Sequence, residues 1–326
     1  MKKRISVALI GAVLAMAGMA PAQAQDDFPS KEVTIVVPYS PGGIADTFTR
    51  AVADRLQEAL GQPVIVDNRP GASQMVGAMA VVEAEADGHT LFLGSTTSLA
   101  VNVHTQKNLR YDPLKDLTPV TLGMTMPLFL VVNPEVPADS VEELVAMLRA
   151  EPGKFTFASI GNGSSTHMAG EMFMQMTDTD MVHVPYKGST PAVADLVAGR
   201  VTMNFDVGKT SLPLVESGDL KVLAVGSKDR FSQLPDLPTV AEAGVPGYQA
   251  TVWFGFATTA GTPQPIVDRL SAEIGEILRT EKMRATFAPS AIELTPNTSA
   301  EFREMIQGEI DRWGEVLRRA GLQPKG

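Results

Sequence analysis

The segment from residue 33 to residue 60 reads VTIVVPYSPGGIADTFTRAVADRLQEAL and contains an apolar run, a glycine turn and an amphipathic stretch. The run Val33–Val37 is rich in β-branched residues, which predicts a buried strand. Four apolar residues then recur at every fourth position: Phe48, Val52, Leu56 and Leu60. This spacing predicts a helix that buries one face, which Asp46 can cap and Gly61 can end. A strand followed by a helix of this length is the first part of a βαβ unit.

Short apolar runs alternate with amphipathic stretches as far as about residue 257. The candidate strands are Val33–Val37, Val64–Val66, Leu91–Leu93, Phe129–Val132, Phe155–Ala158, Val182–Val184, Val201–Phe205, Val222–Val225 and Phe254–Ala257. This alternation is typical of helices packed on mostly parallel sheets. We therefore predict an α/β fold with mostly parallel sheets flanked by helices.

The C-terminal 65 residues have a different pattern, with two helical stretches and no convincing strand. The stretches run from about Gln264 to Phe287 and from Ser299 to Ala320, and a loop around Pro289–Pro296 separates them. These helices must pack on a sheet formed earlier in the chain. Since 326 residues are enough for two domains, we predict a discontinuous first domain, residues 25–124 and 252–326, and an inserted second domain, residues 125–251.

Residues 1–24 have the three parts of a secretory signal peptide. Lys2–Arg4 is basic, Ile5–Ala20 is uncharged and apolar or small, and Ala22-Gln23-Ala24 is a small-x-small cleavage site. A membrane anchor is the less favoured alternative, because the apolar run is short for a span. Removal of this segment would leave 24 basic and 37 acidic side chains, a formal charge of −13. We therefore predict a soluble exported protein whose charge argues against nucleic acid or anionic lipid as a partner.

The composition and the motifs exclude several functional classes. No cysteine is present, so the chain has no disulfide, thiolate zinc site or cysteine nucleophile. The motifs G-x-S-x-G, G-x-x-x-x-G-K-[ST], H-E-x-x-H and a complete G-x-G-x-x-G are missing. The four histidines do not have the spacing of a helical metal site. We predict a protein that is not an enzyme and has no metal or cofactor; a hydrolase using Ser164 or Ser165 with a distant histidine is the alternative.

Three turns rich in glycine or hydroxyl groups follow candidate strands. Pro41–Asp46 follows the first strand, Gly94–Thr97 follows the third, and Gly161–His167 follows the fifth. In open α/β sheets, ligands bind beyond the carboxyl ends of the strands, where such turns converge. A helix N-terminus at that place favours an anion, and glycine lets the backbone approach the anion closely. We therefore expect a ligand with a carboxylate or phosphate group.

Each turn also has a purely structural interpretation. In this interpretation Asp46 caps its helix and has no contact with a ligand. The same interpretation applies to Ser95 and Thr96 and to the hydroxyl groups of Ser164–Thr166. The two glycines that flank Asn162 favour close approach of the backbone to a ligand.

Six groups of residues form a recognisable series along the chain. They are Val37–Gly43 with Asp46 and Arg50, Val66–Ala72, Asp87-Gly88, Tyr111–Pro113 with Asp116, Pro185–Gly188 and Trp253–Gly255. The series resembles the Bug family, the TctC-type extracytoplasmic solute receptors of tripartite tricarboxylate transporters. Two places differ from the family pattern: His89 stands where tyrosine is common, and Ser73-Gln74-Met75 replaces a more glycine-rich stretch.

The resemblance implies a type II periplasmic binding protein, the Venus flytrap architecture, in which two α/β domains close on a small carboxylate. It implies that backbone N–H groups, hydroxyls and bridging waters hold the carboxylate. Carried onto this chain, the ligand-binding residues are Tyr39, Gly43, Ile44, Ala45, Asp46, Ser95 and Thr96 from the first domain, and Gly163, Ser164, Ser165, Thr166, His167, Lys187 and Asp206 from the second.

The resemblance also implies the partners. The expected protein is a monomer that delivers its ligand to the membrane permease of a tripartite tricarboxylate transporter. Its ligand can be a tricarboxylate, a dicarboxylate, an acidic amino acid or an aromatic acid. A receptor that docks on a membrane sensor kinase is the alternative, because the capture of the ligand is the same in both.

Overall fold

A computed structural model describes residues 28–319, so the predicted signal peptide lies outside the described residues. The strands are β1 Val33–Val37, β2 Val64–Asn68, β3 Thr90–Ser95, β4 Leu117–Val132, β5 Thr156–Ser159, β6 Val182–Pro185, β7 Met203–Val207, β8 Lys221–Val225, β9 Thr251–Thr259 and β10 Glu293–Leu294. The helices are α1 Ile44–Leu60, α2 Met75–Val82, α3 Asn102–Thr105, α4 Val141–Ala150, α5 Ser165–Thr177, α6 Ser189–Val197, α7 Gly208–Glu216, α8 Gln264–Arg279, α9 Glu281–Phe287 and α10 Ser299–Arg319.

All nine candidate strands form, in the order β2-β1-β3-β9-β4-β7-β5-β6, with β8 and β10 also paired to β4. The parallel pairs, β1 with β2 and β3 and β5 with β6 and β7, lie toward the two ends of the sheet. Every pair that includes β4 or β9 is antiparallel. The sheet is therefore α/β at both ends, as predicted, and antiparallel where the two ends are joined.

The longest strand, β4, connects the two ends of the sheet. Its residues 117–127 pair with β9, and its residues 128–132 pair with β7 and β8. We call β1–β3, β9, β10 and residues 117–127 of β4 the first half of the sheet, and β5–β8 with residues 128–132 the second half. The sequence predicted only Phe129–Val132 of this strand, because the earlier part contains polar residues and glycine that give no apolar run.

Helix α1 confirms the predicted pattern with one correction. Its four apolar residues at every fourth position are all buried, and it ends at Gly61 in the left-handed conformation, with φ 68°. Its N-cap is Gly43, and no side chain caps the helix. The prediction that Asp46 is the N-cap was wrong, because Asp46 lies inside the first turn and reaches back to the Gly42 amide.

The C-terminal part contains the predicted helices and one strand that was not predicted. A helix boundary at Thr280 divides the first predicted stretch into α8 and α9. The loop between α9 and α10 contains β10, which pairs with Met124 and Thr125 of β4. Two residues are too short a run to give a signal in the sequence.

Three apolar clusters hold the helices on the sheet. One lies between the first half of the sheet and the helices α1 and α8. The second covers the opposite face and continues under α2, α10 and α5 into the second half. The third lies between the second half and the helices α6 and α7. Both faces of both halves are thus covered, which leaves the strand ends for binding.

Candidate functional site

The carboxyl ends of the two parallel strand sets point toward each other across β4. Strand β3 ends at Ser95, which pairs with Phe254 of β9, and Phe254 pairs with Met124 of β4. Strand β7 runs in the opposite direction and ends at Val207, which pairs with Leu128 of β4. Four residues of an extended strand span about 13 Å. We call the space between these opposed strand ends the cleft.

The turn after β1 lies at the first edge of the cleft. Gly42 and Gly43 in this turn are exposed, and Ile44 is half-buried. Because α1 begins at Ile44, the N–H groups of its first turn have no acceptor within the helix. A Cβ added to Gly43 would meet no atom closer than the Ser40 carbonyl oxygen at 4.0 Å. The backbone here is therefore open to an anion at the positive end of the helix dipole.

The carboxylate of Asp46 is bound within this turn. Its Oδ2 accepts hydrogen bonds from the Gly42 amide at 2.9 Å and from Arg50 Nε at 3.1 Å, and its Oδ1 accepts from Asn68 Nδ2 at 3.0 Å. Asn68 also donates to the Tyr39 carbonyl at 3.1 Å. The Arg50 guanidinium holds the pKa of Asp46 at about 2. Asp46 is therefore ionised and neutralised by its neighbours, and it fixes the shape of the turn.

Tyr39, Ser95 and Gln74 form a closed ring of hydrogen bonds behind the turn. The Tyr39 hydroxyl donates to Ser95 Oγ at 3.1 Å, Ser95 Oγ donates to Gln74 Oε1 at 2.8 Å, and Gln74 Nε2 donates to the Tyr39 hydroxyl at 2.8 Å. Burial raises the pKa of Tyr39 to about 12, so its hydroxyl stays protonated. Next to the ring, Thr96 Oγ1 accepts from the Trp253 amide at 3.1 Å.

The backbone at residues 72–74 is strained. Ala72, Ser73 and Gln74 have φ values of 45°, 51° and 74°, three consecutive left-handed residues of which none is glycine. Each such residue costs on the order of 1 kcal/mol. This conformation gives a physical reason for the glycine-rich pattern of the family at these positions. This chain has Gln74 where the family pattern is richer in glycine, and the side chain of Gln74 completes the ring with Tyr39 and Ser95.

The turn after β5 lies at the second edge of the cleft. Asn162 and Gly163 are exposed, and the φ of Gly163 is 72°, a conformation that glycine adopts without strain. Ser164 is the N-cap of α5, with its Oγ accepting from the His167 amide at 3.3 Å, as the capping interpretation predicts. Ser165 follows as a half-buried residue in the first turn. A second helix N-terminus, preceded by exposed glycine, therefore faces the first across the cleft.

Thr166 and His167 are buried behind this second turn. Thr166 Oγ1 accepts from the Ile160 amide at 2.9 Å. His167 Nδ1 accepts from the Gly163 amide at 3.0 Å, and its ring stacks on His183 with 3.9 Å between the ring centroids. The hydrogen bonds that these two side chains accept stabilise the turn on its buried side.

Asp206 and Lys187 lie at the same edge in contrasting surroundings. Asp206, near the end of β7, has no exposed surface, and one of its oxygens accepts from Ser189 Oγ at the start of α6. Burial raises the pKa of Asp206 to about 6. Asn204, two residues earlier on the same face of β7, is also fully buried. Lys187 is exposed in the turn between β6 and α6.

The described structure separates the predicted ligand-binding residues into two groups. Exposed or half-buried are Tyr39, Gly43, Ile44, Gly163, Ser164, Ser165 and Lys187. Buried are Ala45, Asp46, Ser95, Thr96, Thr166, His167 and Asp206. Both groups lie at the two edges of the cleft. The residues of the first group have exposed atoms, and the side chains of the second group are buried behind the two turns.

Sequence reasoning missed five side chains that support the turns. Arg50 and Asn68 belong to the motifs that carry the family resemblance, so a signal for them was present. Gln74 lies in the stretch that departs from the family pattern. Ser159 and His183 gave no signal, because only the pairing of β5 with β6 brings them to the turn.

Two large pockets of the described structure are lined by none of the predicted ligand-binding residues. Pockets of about 770 Å³ and 730 Å³ lie on outer faces, one between α1 and α8 and the other beside α4. Over the same residues, no group of three acidic or histidine side chains is arranged to hold a metal ion. None of the described helices is long and apolar enough to cross a membrane.

The sequence matches a known protein family over most of its length. Residues 48–322 match the model of the TctC family, described as the tripartite tricarboxylate transporter family receptor. The chain belongs to this family. Protein BugT of Bordetella pertussis is 37% identical to it over 320 residues, which are 98% of each chain. TctC proteins are receptors for solutes and not enzymes, and this chain is a solute-binding protein of the same kind.

Solved structures of the TctC and Bug type share the fold. R. palustris Rpa4515 with adipate is 35% identical, with a TM-score of 0.74 over 92% of this chain and 100% of that one. MatC from Rhodopseudomonas palustris with bound malate is 31% identical, with a TM-score of 0.70 over 89% and 100%. A TctC solute-binding protein from Polaromonas without ligand is 26% identical, with a TM-score of 0.83 over 90% and 99%. The chain therefore has the fold of the periplasmic binding proteins of this family.

Proposed function

We propose that this protein captures a small dicarboxylate in the cleft and delivers it to the permease of a tripartite tricarboxylate transporter. The observation that carries the proposal is the pair of helix N-termini, α1 and α5, which begin beside exposed glycines at opposed edges of the cleft. Free amides at both edges suit a carboxylate that touches both. The adipate and malate held by the two R. palustris relatives support a dicarboxylate as the ligand.

The charge around the cleft is compatible with this ligand. The one carboxylate in the first turn, Asp46, is paired with Arg50 and hydrogen-bonded to Gly42, so its negative charge is neutralised locally. In the proposed complex, the amides of Gly43, Ile44 and Ala45 bind one carboxylate. The amides and hydroxyl groups of the second turn, with Lys187 at its rim, complete the site.

The two halves of the sheet act as lobes in this proposal. The first lobe is residues 25–124 and 252–326, and the second is residues 125–251. The unliganded Polaromonas relative superposes with a higher TM-score than the adipate and malate complexes, although its sequence identity is lower. We assign the described arrangement to the open form on this basis. A ligand that contacts both lobes favours the closed form because it gains contacts only there.

The remaining parts of the proposal concern location and partners. Residues 1–24 direct the chain to the periplasm and are removed, and the protein works as a monomer. The permease of the transporter recognises the closed form. The description of the family as a transporter receptor supports this role.

The test of ligand capture is a thermal-shift screen of the purified protein against dicarboxylates, tricarboxylates, acidic amino acids and aromatic acids, followed by calorimetry. A ligand at 100 times its dissociation constant adds about 2.7 kcal/mol to the free energy of unfolding. For a protein of this size, that raises Tm by roughly 4 °C. A shift with dicarboxylates supports the proposal, and a shift with aromatic acids alone contradicts the ligand class.

The test of the site is Gly43→Val. The branched side chain fits the fold, since no atom lies within 4.0 Å of the added Cβ, but it occupies the place of the carboxylate. We expect affinity to fall at least about tenfold, the loss of roughly one charge-assisted hydrogen bond. The matched control is Gly308→Val, at an exposed glycine of α10 whose added Cβ also meets nothing within 4 Å. Equal affinity in both variants would show that the ligand binds elsewhere.

Delivery is tested separately by deleting the gene and measuring uptake of the identified ligand. Loss of uptake, restored by the wild-type gene but not by Gly43→Val, supports transport. Normal uptake with loss of ligand-dependent gene induction would instead favour a sensory receptor.

A further inference from the structure

The turn at the second edge of the cleft rests on two histidines that the capture of a carboxylate by itself does not explain. His167 Nδ1 lies 3.0 Å from the Gly163 amide nitrogen. A backbone N–H can only donate, so Nδ1 must accept, and the ring is neutral with its proton on Nε2. Nε2 lies 3.4 Å from the carboxylate of Glu171, so a proton on Nε2 has a negatively charged group beside it. The chemistry of one backbone amide thus fixes the tautomer of His167.

His183 holds the other end of the same turn. Its Nε2 lies 2.7 Å from Ser159 Oγ. The same hydroxyl oxygen accepts from the Gly161 amide at 3.0 Å and lies 3.1 Å from the Gly161 carbonyl. Ser159 therefore links the imidazole of His183 to Gly161, as Nδ1 links His167 to Gly163.

The two rings form one packed unit. His167 and His183 stack with 3.9 Å between centroids and 17° between planes, and Phe157 stacks on His183 at 4.8 Å. Two positive charges at this distance would repel each other strongly. Burial, and then repulsion from His167 whenever that ring carries a second proton, lower the pKa of His183 to about 4, while Glu171 opposes the shift. The stack is therefore suited to hold neutral rings.

We propose that His167 and His183 are positioning residues of the binding site, a neutral stacked pair that holds both ends of the Gly161–Gly163 turn and thereby fixes the start of α5 at the edge of the cleft. Each acts through one ring nitrogen, Nδ1 in His167 and Nε2 in His183. Neither imidazole touches the ligand. This inference rests on the proposed function and adds to it the side chains that fix the geometry of the second turn.

The test uses the two amide side chains that each replace one ring nitrogen. Asparagine places its amide near the position of Nδ1, and glutamine places its amide near the position of Nε2. We expect His167→Asn and His183→Gln to keep affinity within about threefold of the wild type. His167→Gln and His183→Asn should each weaken binding about tenfold, because one hydrogen bond to the turn is lost. Calorimetry with the dicarboxylate from the screen measures all four.

The matched control is His104→Gln. His104 in α3 also bonds through a ring nitrogen, at 2.8 Å to the Ile310 carbonyl oxygen, but its ring packs against Gly314 of α10. We expect no change in affinity. A merely structural role of the pair would lower stability without this crossed preference for asparagine at one position and glutamine at the other. Equal affinities for the two amides at either position would overturn the proposal.

A spectroscopic measurement separates this inference from the proposed function. Imidazole ¹⁵N spectra of the wild-type protein without ligand should show His167 protonated at Nε2 and unprotonated at Nδ1. Proton attachment at Nδ1 would overturn the positioning role even if dicarboxylates bind. If no dicarboxylate binds but this tautomer is observed, the proposed function fails and the geometry of the pair stands.

Discussion

Asp206 is a buried carboxyl group that destabilises the fold when it is ionised. It has no exposed surface, and burial raises its pKa from 3.8 to about 6. Below about pH 4 this carboxyl group is protonated in both the folded and the unfolded protein, so it does not reduce stability. As the pH rises from about 4 through 6, the unfolded protein loses the proton more readily than the folded one, and the free energy of unfolding falls. A shift of this size corresponds to about 3 kcal/mol at neutral pH. A group that destabilises its own fold beside the cleft is a candidate for a functional role.

We predict that Asp206→Asn raises the free energy of unfolding at pH 8 by about 2 to 3 kcal/mol, because asparagine keeps the bond to Ser189 without the buried charge. The difference should vanish near pH 4, where the aspartate is protonated. Urea unfolding at the two pH values measures it. The control is Asp195→Asn, where the Tyr186 hydroxyl and Arg200 lower the pKa, so the same change should reduce stability at pH 8. An Asp206→Asn variant no more stable than the wild type at pH 8 would contradict the prediction.

At the scale of elements, the position of α5 decides where the second turn lies. The helix packs on β5 at Gly170, where an added Cβ would come within 2.3 Å of the Phe157 ring. Phe157 in turn supports the stacked pair of His167 and His183. Any side chain at Gly170 must therefore move α5 away from the sheet or displace the ring beneath the turn.

We predict that Gly170→Ala lowers the free energy of unfolding by about 1 to 3 kcal/mol, the usual cost of overpacking, and weakens ligand binding through the displaced turn. The matched control is Gly308→Ala in α10, where the added Cβ meets nothing within 4 Å. That change should stabilise the protein by up to about 1 kcal/mol, since alanine favours a helix over glycine. Chemical denaturation and calorimetry of both variants check the prediction. Two variants of equal stability would mean that α5 does not pack as described.

At the scale of the whole molecule, the two halves of the sheet are joined by few elements. Strand β4 changes partners between Pro127 and Leu128, and Pro127 lacks the N–H that would continue the ladder. Helix α10 also connects the two halves, since Gln175 of α5 donates to the carbonyl of Val316 in α10 at 3.0 Å. Near it, the buried Glu309 accepts from Trp253 Nε1 at 3.1 Å. We therefore expect the molecule to bend at the change of partners in β4.

We predict that a saturating ligand reduces the radius of gyration, because the lobes close at this joint around the carboxylate. Small-angle X-ray scattering with and without the ligand found in the screen measures the change. Gly43→Val is the control, and it should need at least about ten times more ligand for the same decrease in radius. An unchanged radius for the wild type under conditions where calorimetry shows full binding would contradict closure.

The periodicity of the sequence predicted most of the elements, and the reason is local. Val33–Val37 and the spacing of apolar residues in α1 are set by neighbours in the chain, so strand and helix could be located from residue order. The two-residue strand β10 and the first part of β4 could not, since their pairing depends on strands far away in sequence. The three turns rich in glycine or hydroxyl groups were located correctly after β1, β3 and β5.

The sequence by itself determined the α/β class, the two glycine turns and the family, because these follow from local patterns and from motifs in a fixed order. Only the tertiary structure decided which atoms in those turns are exposed. It buried Asp46 against Arg50 and Asn68, and it stacked His167 on His183. These contacts join residues from separate strands and helices, and burial depends on everything packed around a side chain. No local pattern records that environment.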